Sequence, residues 1–380
     1  MKNKPIKILF DANPIVNGNK SGVGYYSYYL LEAFAKNHLG EVNIVAHYFN
    51  FLGRKNPNLP KVANINYKQS RFLPGKILSL TRKFGFQVPL EIFFKTSGDI
   101  AIFTNFVSLP NLSNVPTFVA VHDLCYEDVP EYVSDKNRAF LHRFVPKSIK
   151  SVTKIITISE STKSAIKKHY GVNDNKFIIT PIPPQTPLFT SKDVLKRFEI
   201  NKKYILLISN LEPRKNFINL VKAYEKLPKN IKKEYCLVLA GGKGWKIEEQ
   251  LNYIENSKFS KDIILTGYVS DVERAALYTN ASIFVMPSHY EGFGMPVLEA
   301  MSYGIPTAIS DIPVFHEVAG DASEYFDKDN PSEITKTIQK ILDNKKLQQN
   351  LISKGNKQLK KYSWEKVAFD LYEEIKKVIN

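Results

Sequence analysis

The chain has 380 residues with 53 basic and 37 acidic side chains, a net charge of +16, and that length suits two domains better than one core. Its 43% hydrophobic and 12% aromatic content excludes a disordered chain, and its two distant cysteines, Cys125 and Cys236, exclude a disulfide framework. The basic excess fits phosphorylated small substrates or an anionic membrane surface; no zinc spacing or RNA-binding strand signature points to nucleic acid.

Met1 to Pro5 leads into a short apolar strand, with no signal peptide and no apolar run long enough to span a bilayer. The expectation is a cytoplasmic protein, soluble or held at the inner face of the cell membrane. Ile6 to Asp11 predicts that first strand, a glycine-rich stretch 17–24 follows, and Tyr25 to Lys36 reads as a helix. Gly22 and Gly24 let the backbone approach a ligand, and the helix start favours an anion. The third glycine of a dinucleotide fingerprint is absent, so a plain strand-to-helix turn fits equally. Further strands are read at 41–46, 99–103, 117–121, 154–159 and 177–180, while 50–98 has no regular pattern. Within it, Lys76 to Phe86 mixes basic and large apolar residues, as an amphipathic core helix or a membrane-surface contact would. His122 follows directly on the strand 117–121, where open α/β sheets bind ligands. Its imidazole serves either a sugar hydroxyl or phosphate, or the packing. Ser159 caps a helix carrying Lys163, Lys167 and Lys168. Alternating strands and helices predict a parallel, doubly wound sheet, and the proline cluster 181–187 predicts a linker.

The pattern restarts with a strand at 204–209. The loop after it carries Arg214 and Lys215, two cations suited to a diphosphate: arginine binds it bidentately and lysine adds a compact charge. The strand 235–240 enters Gly241-Gly242-Lys243-Gly244-Trp245, where Lys243 or the backbone meets a nucleotide or the chain merely turns. The strand 263–269 places Tyr268 toward a base, and Asp271 opens a helix to Asn280. An apolar run at 281–286 then leads to Glu291-Gly292-Phe293-Gly294, with Pro296 at a first helical position and the helix ending near Gly304. Such a junction aims N–H groups and a helix dipole at one spot that suits a phosphate. Glu291 and Glu299 flank it and can accept hydrogen bonds from sugar hydroxyls. A strand at 306–310 precedes a loop, Asp311 to Ala319, that holds His316 as a weaker candidate. Helices at 331–343, 346–361 and 364–378 close the chain; Trp364, Phe369 and Leu371 are candidates to dock the last one, with the first half as one option. No Asp-x-Asp is read at a strand end.

Taken in order, Gly22-Val23-Gly24, His122-Asp123-Leu124, Arg214-Lys215-Asn216, Gly241 to Trp245, and the pair Glu291/Glu299 around Gly292-Phe293-Gly294 resemble the family 4 retaining glycosyltransferases. The likeness runs from Ile6 to Trp364. It implies an α/β fold of GT-B architecture, two Rossmann-like doubly wound domains facing across a cleft. Residues 1–184 would form the acceptor domain, joined by the terminal helix 364–380, and 185–363 the donor domain. By the same resemblance Arg214 and Lys215 neutralise the donor diphosphate, Glu299 holds the ribose, and Glu291 with Gly292 to Gly294 holds the donor sugar. His122 faces the reacting sugar. The implied donor-binding set is Gly22, Gly24, Gly242, Tyr268, Gly292, Phe293, Gly294, Met295, Val297, Leu298 and Glu299. No metal and no cofactor are implied; the nucleoside-diphosphate sugar is a co-substrate.

The implied reaction moves a hexose to an acceptor hydroxyl with retained configuration, by same-face attack with the leaving phosphate as base. Glu291 is the carboxylate that a double displacement would use instead. His-Asp-Leu followed by Gly-Gly-Lys-Gly-Trp looks most like bacterial members that build O-antigen or capsule chains, which favours GDP-mannose. The partners implied are a saccharide or polyprenyl-diphosphate-linked acceptor and an anionic membrane. The alternatives are a non-transferring enzyme such as an epimerase on the same scaffold, and a catalytically silent sugar-nucleotide-binding subunit.

Overall fold

The computed structural model describes residues 4–16, 20–71, 89–110, 114–188, 190 and 192–379. The basic-apolar stretch Lys76 to Phe86 and Gly18 of the first loop lie outside them. The chain packs as two units: residues 1–127, 136–182 and 363–380 form one, and 128–135 with 183–362 form the other. The division after Ile182 falls two residues before the sequence-based boundary. Residues 128–135 belong to the second unit although both their flanks belong to the first.

In the N-terminal unit the apolar runs become seven parallel strands. They are β1 (Ile6–Asp11), β2 (Val42–Phe49), β3 (Ile65–Ser70), β4 (Ile100–Phe103), β5 (Thr117–Val121), β6 (Lys154–Thr157) and β7 (Phe177–Ile179), ordered β3-β2-β1-β4-β5-β6-β7. β1, β4 and β5 are buried on both faces, as strands covered by helices on each side must be. The first helix runs Gly22–Asn37, three residues earlier than its sequence pattern predicts, because Ser21 caps it by accepting from the Gly24 N–H. Gly22 and Gly24 therefore sit in its first turn. Only Gly24 is held to glycine by space: a Cβ there would lie 2.9 Å from the Pro14 carbonyl oxygen, while nothing lies within 4 Å of one at Gly22. The buried stripe Tyr26, Leu30, Leu31, Phe34 of this helix packs on Val367, Leu371, Tyr372 and Ile375 of the terminal helix Trp364–Ile379. Trp364 and Leu371 dock that helix; Phe369 is 57% exposed and does not.

The C-terminal unit repeats the plan with β8 (Lys203–Ile208), β9 (Tyr235–Ala240), β10 (Ile263–Gly267), β11 (Ile283–Met286), β12 (Thr307–Ser310) and β13 (Ser323–Phe326), all parallel, in the order β10-β9-β8-β11-β12-β13. The order reverses between β8 and β11. Crossovers leave those two strands toward opposite ends of the sheet and open a crevice at their carboxyl ends, the place where doubly wound sheets bind ligands.

Two departures from the sequence reading have physical causes. β3 lies in the stretch that shows no pattern, because an edge strand reading Ile-Asn-Tyr-Lys-Gln-Ser carries little apolar alternation. The segment predicted as a loop after β12 is the helix Pro313–Ala319, and His316 lies on its exposed side, paired with Asp311 at 2.6 Å and stacked on Tyr325.

The two units share basic and acidic residues unequally. The N-terminal unit carries 27 basic and 13 acidic side chains, a net +14, and the C-terminal unit 26 and 24, a net +2.

Two positions in the glycine loop after β9 admit no side chain: a Cβ at Gly244 would fall 2.5 Å from the Leu211 carbonyl oxygen, and Gly241 is closed more tightly still. Gly241 has φ 146°, and a Cβ there would fall 1.9 Å from the Ser209 carbonyl oxygen, whereas one at Gly242 meets only Asn210 Oδ1 at 3.8 Å. Gly241→Ala is expected to cost about 3 kcal/mol or more, by overpacking against fixed backbone, and to lower the thermal midpoint by several degrees. Gly242→Ala is expected to stay within about 1 kcal/mol of the parent.

Candidate active site

The loops leaving β8, β9 and β11 form one hydrogen-bonded block. After β8, Pro213–Lys215 makes a single turn of 3-10 helix, and Asn216 adopts φ 53°, a left-handed conformation that asparagine tolerates. The buried Asn216 amide donates to the carbonyls of Pro287 (2.9 Å) and Lys328 (2.8 Å), tying this loop to those after β11 and β13. The His289 N–H donates to the Arg214 carbonyl at 2.8 Å. Leu211 N–H donates to the Gly242 carbonyl and Gly244 N–H to the Leu211 carbonyl, at 2.9 and 2.8 Å, which joins the β9 loop to the same block.

Four charged side chains fill its centre. Lys215 Nζ lies 2.6 Å from Glu291 Oε1; Arg214 gives Nη1 to Glu291 Oε2 (3.1 Å) and to the Tyr290 carbonyl (2.9 Å), and Nη2 to Glu212 Oε1 (2.8 Å). Ser288 Oγ donates to Glu291 Oε1 at 2.8 Å. The side chains of Glu212, Arg214, Lys215 and Glu291 are only 6, 15, 12 and 6% exposed. Two cations against two carboxylates leave the cluster neutral, which is how a protein holds four ionised groups away from water. Burial by itself would push the Glu291 carboxyl up. The charges of Lys215 and Arg214, with the hydrogen bonds from Lys215 and Ser288, outweigh burial and hold it below the ordinary glutamate value.

Glu299 sits one helix turn inside Met295–Ser302, itself buried, with Oε2 accepting from Tyr278 Oη at 2.9 Å and Oε1 3.4 Å from Arg274 Nη1. Burial, then the Glu299 charge, pushes the Tyr278 hydroxyl well up, so it remains a donor. Gly294, φ 95°, begins that helix, and a Cβ there would strike the Phe315 ring at 2.5 Å. Met295 is partly exposed; Phe293, Val297 and Leu298 are buried, so the last two can meet a ligand through backbone alone. Gly292 is buried in the same turn, Gly242 lies in the β9 loop, and Tyr268, 43% exposed, lies just beyond β10.

His122, Gly22 and Gly24 belong to the N-terminal unit. His122 directly follows β5, is 5% exposed, and lies edge-on to Tyr26 and Phe106. Its Nε2 is 2.7 Å from the Thr104 carbonyl, which can only accept, so Nε2 carries the proton. Burial lowers the His122 pKa against the opposing effects of Thr104 and Asp123, so the ring is neutral at pH 7 with Nδ1 as its lone-pair nitrogen.

Sequence reasoning missed Glu212, Ser288, Arg274 and Tyr278. Arg274 and Tyr278 share one face of a helix at i, i+4, a signal that was there to read. It also missed an Asp-x-Asp at a strand end: Asp327-Lys328-Asp329 follows β13, a strand too short and polar to be read. Asp327 Oδ1 accepts from the Asp329 N–H at 2.9 Å, and Asp329 pairs with His289 (3.4 Å) and Lys328 (3.2 Å). Among the described residues, no group of three or more His, Cys, Asp or Glu is placed to hold a metal ion.

Comparison with known proteins places both units. Residues 192–358 match the family Glycosyl transferases group 1, and residues 20–183 match Glycosyltransferase Family 4. The chain is 31% identical over 251 residues to O-antigen chain mannosyltransferase B of Escherichia coli, which covers 64% of this chain and 66% of that protein, just under two thirds of its length. It is 25% identical over 357 residues to O-antigen chain mannosyltransferase RfbU of Salmonella typhimurium, covering 91% of this chain and 94% of that one. Among solved structures it superposes on WaaG, a glycosyltransferase involved in lipopolysaccharide biosynthesis, with a TM-score of 0.69 at 13% identity, over 97% of this chain and 99% of that one.

The depressed Glu291 pKa fixes a pH dependence. A carboxyl that binds its proton more weakly folded than unfolded adds stability above the ordinary value of 4.5 and loses it as pH falls through the folded value. Thermal midpoints followed from pH 6 down to pH 3 are expected to fall less steeply in Glu291→Gln than in the parent.

Proposed function

This chain belongs to the glycosyltransferases of GT-B fold, with family 4 and group 1 units, and on that premise we propose that it moves a hexose from a nucleoside-diphosphate sugar to a saccharide or lipid-linked saccharide acceptor in surface polysaccharide synthesis. The observation that carries this reading is the buried set Arg214, Lys215 and Glu291 at the β8/β11 reversal, with Glu299 tethered one helix turn away. Mannose is the favoured sugar, in line with two relatives named as O-antigen mannosyltransferases, and GDP is the nucleotide favoured by the resemblance of the sequence motifs.

Donor binding in this reading is an exchange of partners. The diphosphate takes over N–H groups of Arg214 and Lys215 that Glu291 holds in its absence, and Glu291 turns to the sugar hydroxyls. Glu299 accepts from the ribose while Tyr278 and Arg274 hold its carboxylate in place. Charge developing on the leaving diphosphate meets fixed cations in a site that excludes water, where removing one such group costs about 3–4 kcal/mol. Transfer then needs no metal. Retention by same-face attack is favoured over a covalent intermediate, because in this exchange the Glu291 carboxylate is engaged by the sugar hydroxyls and by Ser288 rather than free to attack the anomeric carbon. His122, neutral and with Nδ1 as acceptor, suits a sugar hydroxyl.

The acceptor is assigned to the N-terminal unit, whose net +14 suits a polyprenyl-diphosphate-linked saccharide at an anionic cytoplasmic leaflet, where each basic residue near the surface contributes about 1 kcal/mol. Among the described residues no helix is long and apolar enough to cross a membrane, so attachment would be peripheral.

Transfer of labelled mannose from GDP-mannose to a polyprenyl-diphosphate-linked saccharide tests the whole reading; absence of transfer from GDP-, UDP- and dTDP-sugars alike would overturn it. Arg214→Ala and Lys215→Ala are each expected to lower kcat/KM by about 10²–10³-fold, with His316→Ala within about twofold of the parent. A glycosyl adduct on Glu291 detected by mass spectrometry would replace same-face attack with double displacement.

A further inference from the structure

The segment 128–135 has no part in the donor chemistry above, yet it packs with the donor-binding unit while the chain on either side of it does not. Its conformation is set locally. Pro130 starts a single 3-10 turn, Pro130–Tyr132, closed by Tyr132 N–H to the Val129 carbonyl (3.1 Å) and Val133 N–H to the Pro130 carbonyl (3.2 Å).

From that turn the segment grips the block of loops at three points. The Tyr132 ring stacks on the His289 imidazole, centroids 4.8 Å apart and planes 10° from parallel. The Tyr132 carbonyl accepts from Trp245 Nε1 at 3.0 Å. Asp128 Oδ2 accepts from Tyr290 Oη at 3.1 Å. His289 and Tyr290 directly precede Glu291, and Trp245 ends the glycine loop that is hydrogen-bonded to Leu211. Backbone groups of His289 and Tyr290 face inward to Arg214, and their side chains face outward to the segment.

We propose that Tyr132 is a positioning residue for transfer: through its stack on His289 it fixes the Tyr290 carbonyl against Arg214 and the backbone from which Glu291 reaches the sugar. The stack needs a flat ring and no hydroxyl. The Glu299–Tyr278–Arg274 group lies on two other helices, Asp271–Asn280 and Met295–Ser302. The Tyr132 side chain therefore governs where the sugar and diphosphate lie relative to each other, and its removal leaves the Glu299 group and the backbone bond to Trp245 in place. A displacement of about 1 Å in a reacting group can cost about 10²-fold in rate. The inference rests on the glycosyltransferase reading of the same site.

Four full-length proteins decide it: the parent, Tyr132→Ala, Tyr132→Phe and Tyr290→Phe. Each is assayed for sugar transfer and titrated calorimetrically with GDP and with UDP. Tyr132→Ala is expected to lose 10- to 100-fold in kcat while its affinity for the nucleotide that the parent binds changes less than about threefold. Tyr132→Phe should restore kcat to within about twofold, and Tyr290→Phe, which keeps the ring and removes the hydroxyl that bonds Asp128, should fall between. Tyr132→Ala with parental kcat overturns the positioning role, as does a loss of nucleotide affinity that parallels the loss of kcat. If Tyr132→Ala does not fold, Tyr290→Phe decides alone: parental kcat overturns the proposal and a reduced kcat at unchanged affinity supports it. A parent that transfers no sugar sinks the glycosyltransferase reading and this inference with it, whereas an active parent matched by Tyr132→Ala sinks only the inference.

Discussion

A neutral quartet of buried charges organises the C-terminal unit. Lys215 and Arg214 come from the loop after β8, Glu291 from the loop after β11, and these strands are neighbours only because the sheet reverses its order between them. Removing ionised groups from water costs several kcal/mol each, and taking away one partner of a buried pair costs about 3–5 kcal/mol. Either loop alone would bury uncompensated charge, so each fixes the other. Asn216 extends the same bond set to the loop after β13, and Leu211 to the loop after β9. Four strand ends thereby act as one rigid rim.

The neutrality of that rim has a consequence for ligand binding. A free pair of cations in a crevice would attract any anion, whereas cations already satisfied at 2.6–3.1 Å give up a partner only to a ligand that replaces those bonds well. In the proposed reading a diphosphate attached to a sugar does so twice, since its oxygens would suit Arg214 and Lys215 and the sugar hydroxyls would suit the Glu291 carboxylate that is released. Inorganic phosphate offers the first half of that exchange and not the second. Selectivity of this kind comes from the cost of leaving a buried polar group unpaired.

Much of this was legible in the sequence, for reasons that also explain what was not. Uninterrupted apolar runs such as Tyr204 to Ile208 and Ile283 to Met286 announce strands buried on both faces, and polar residues immediately after them fall at strand ends, so Arg214, Lys215, Glu291 and His122 could be named from position alone. β3 and β13 escaped because an edge strand and a four-residue strand need few apolar residues, and with β13 went Asp327-Lys328-Asp329. Glu212 escaped because an acid before a proline reads as loop. Its partner is two residues away, and only the folded turn reveals that they pair. Val297 and Leu298 are the reverse case: they follow the glycine turn in sequence, yet their side chains belong to the core.

His122 is where sequence and structure divide the work most cleanly. Position after β5 puts an imidazole at a strand end and leaves open whether it serves a hydroxyl, a phosphate or the packing. The Thr104 carbonyl closes part of that choice, because it can only accept and so takes the Nε2 proton. Burial then keeps the second proton off the ring. A neutral ring with its N–H already committed has a lone pair to offer and no proton to donate, and a phosphate wants donors while a hydroxyl can itself donate. In the proposed reading, the group that suits His122 is therefore a hydroxyl rather than a phosphate, an argument that rests on one backbone carbonyl and on burial and not on any relative of this chain.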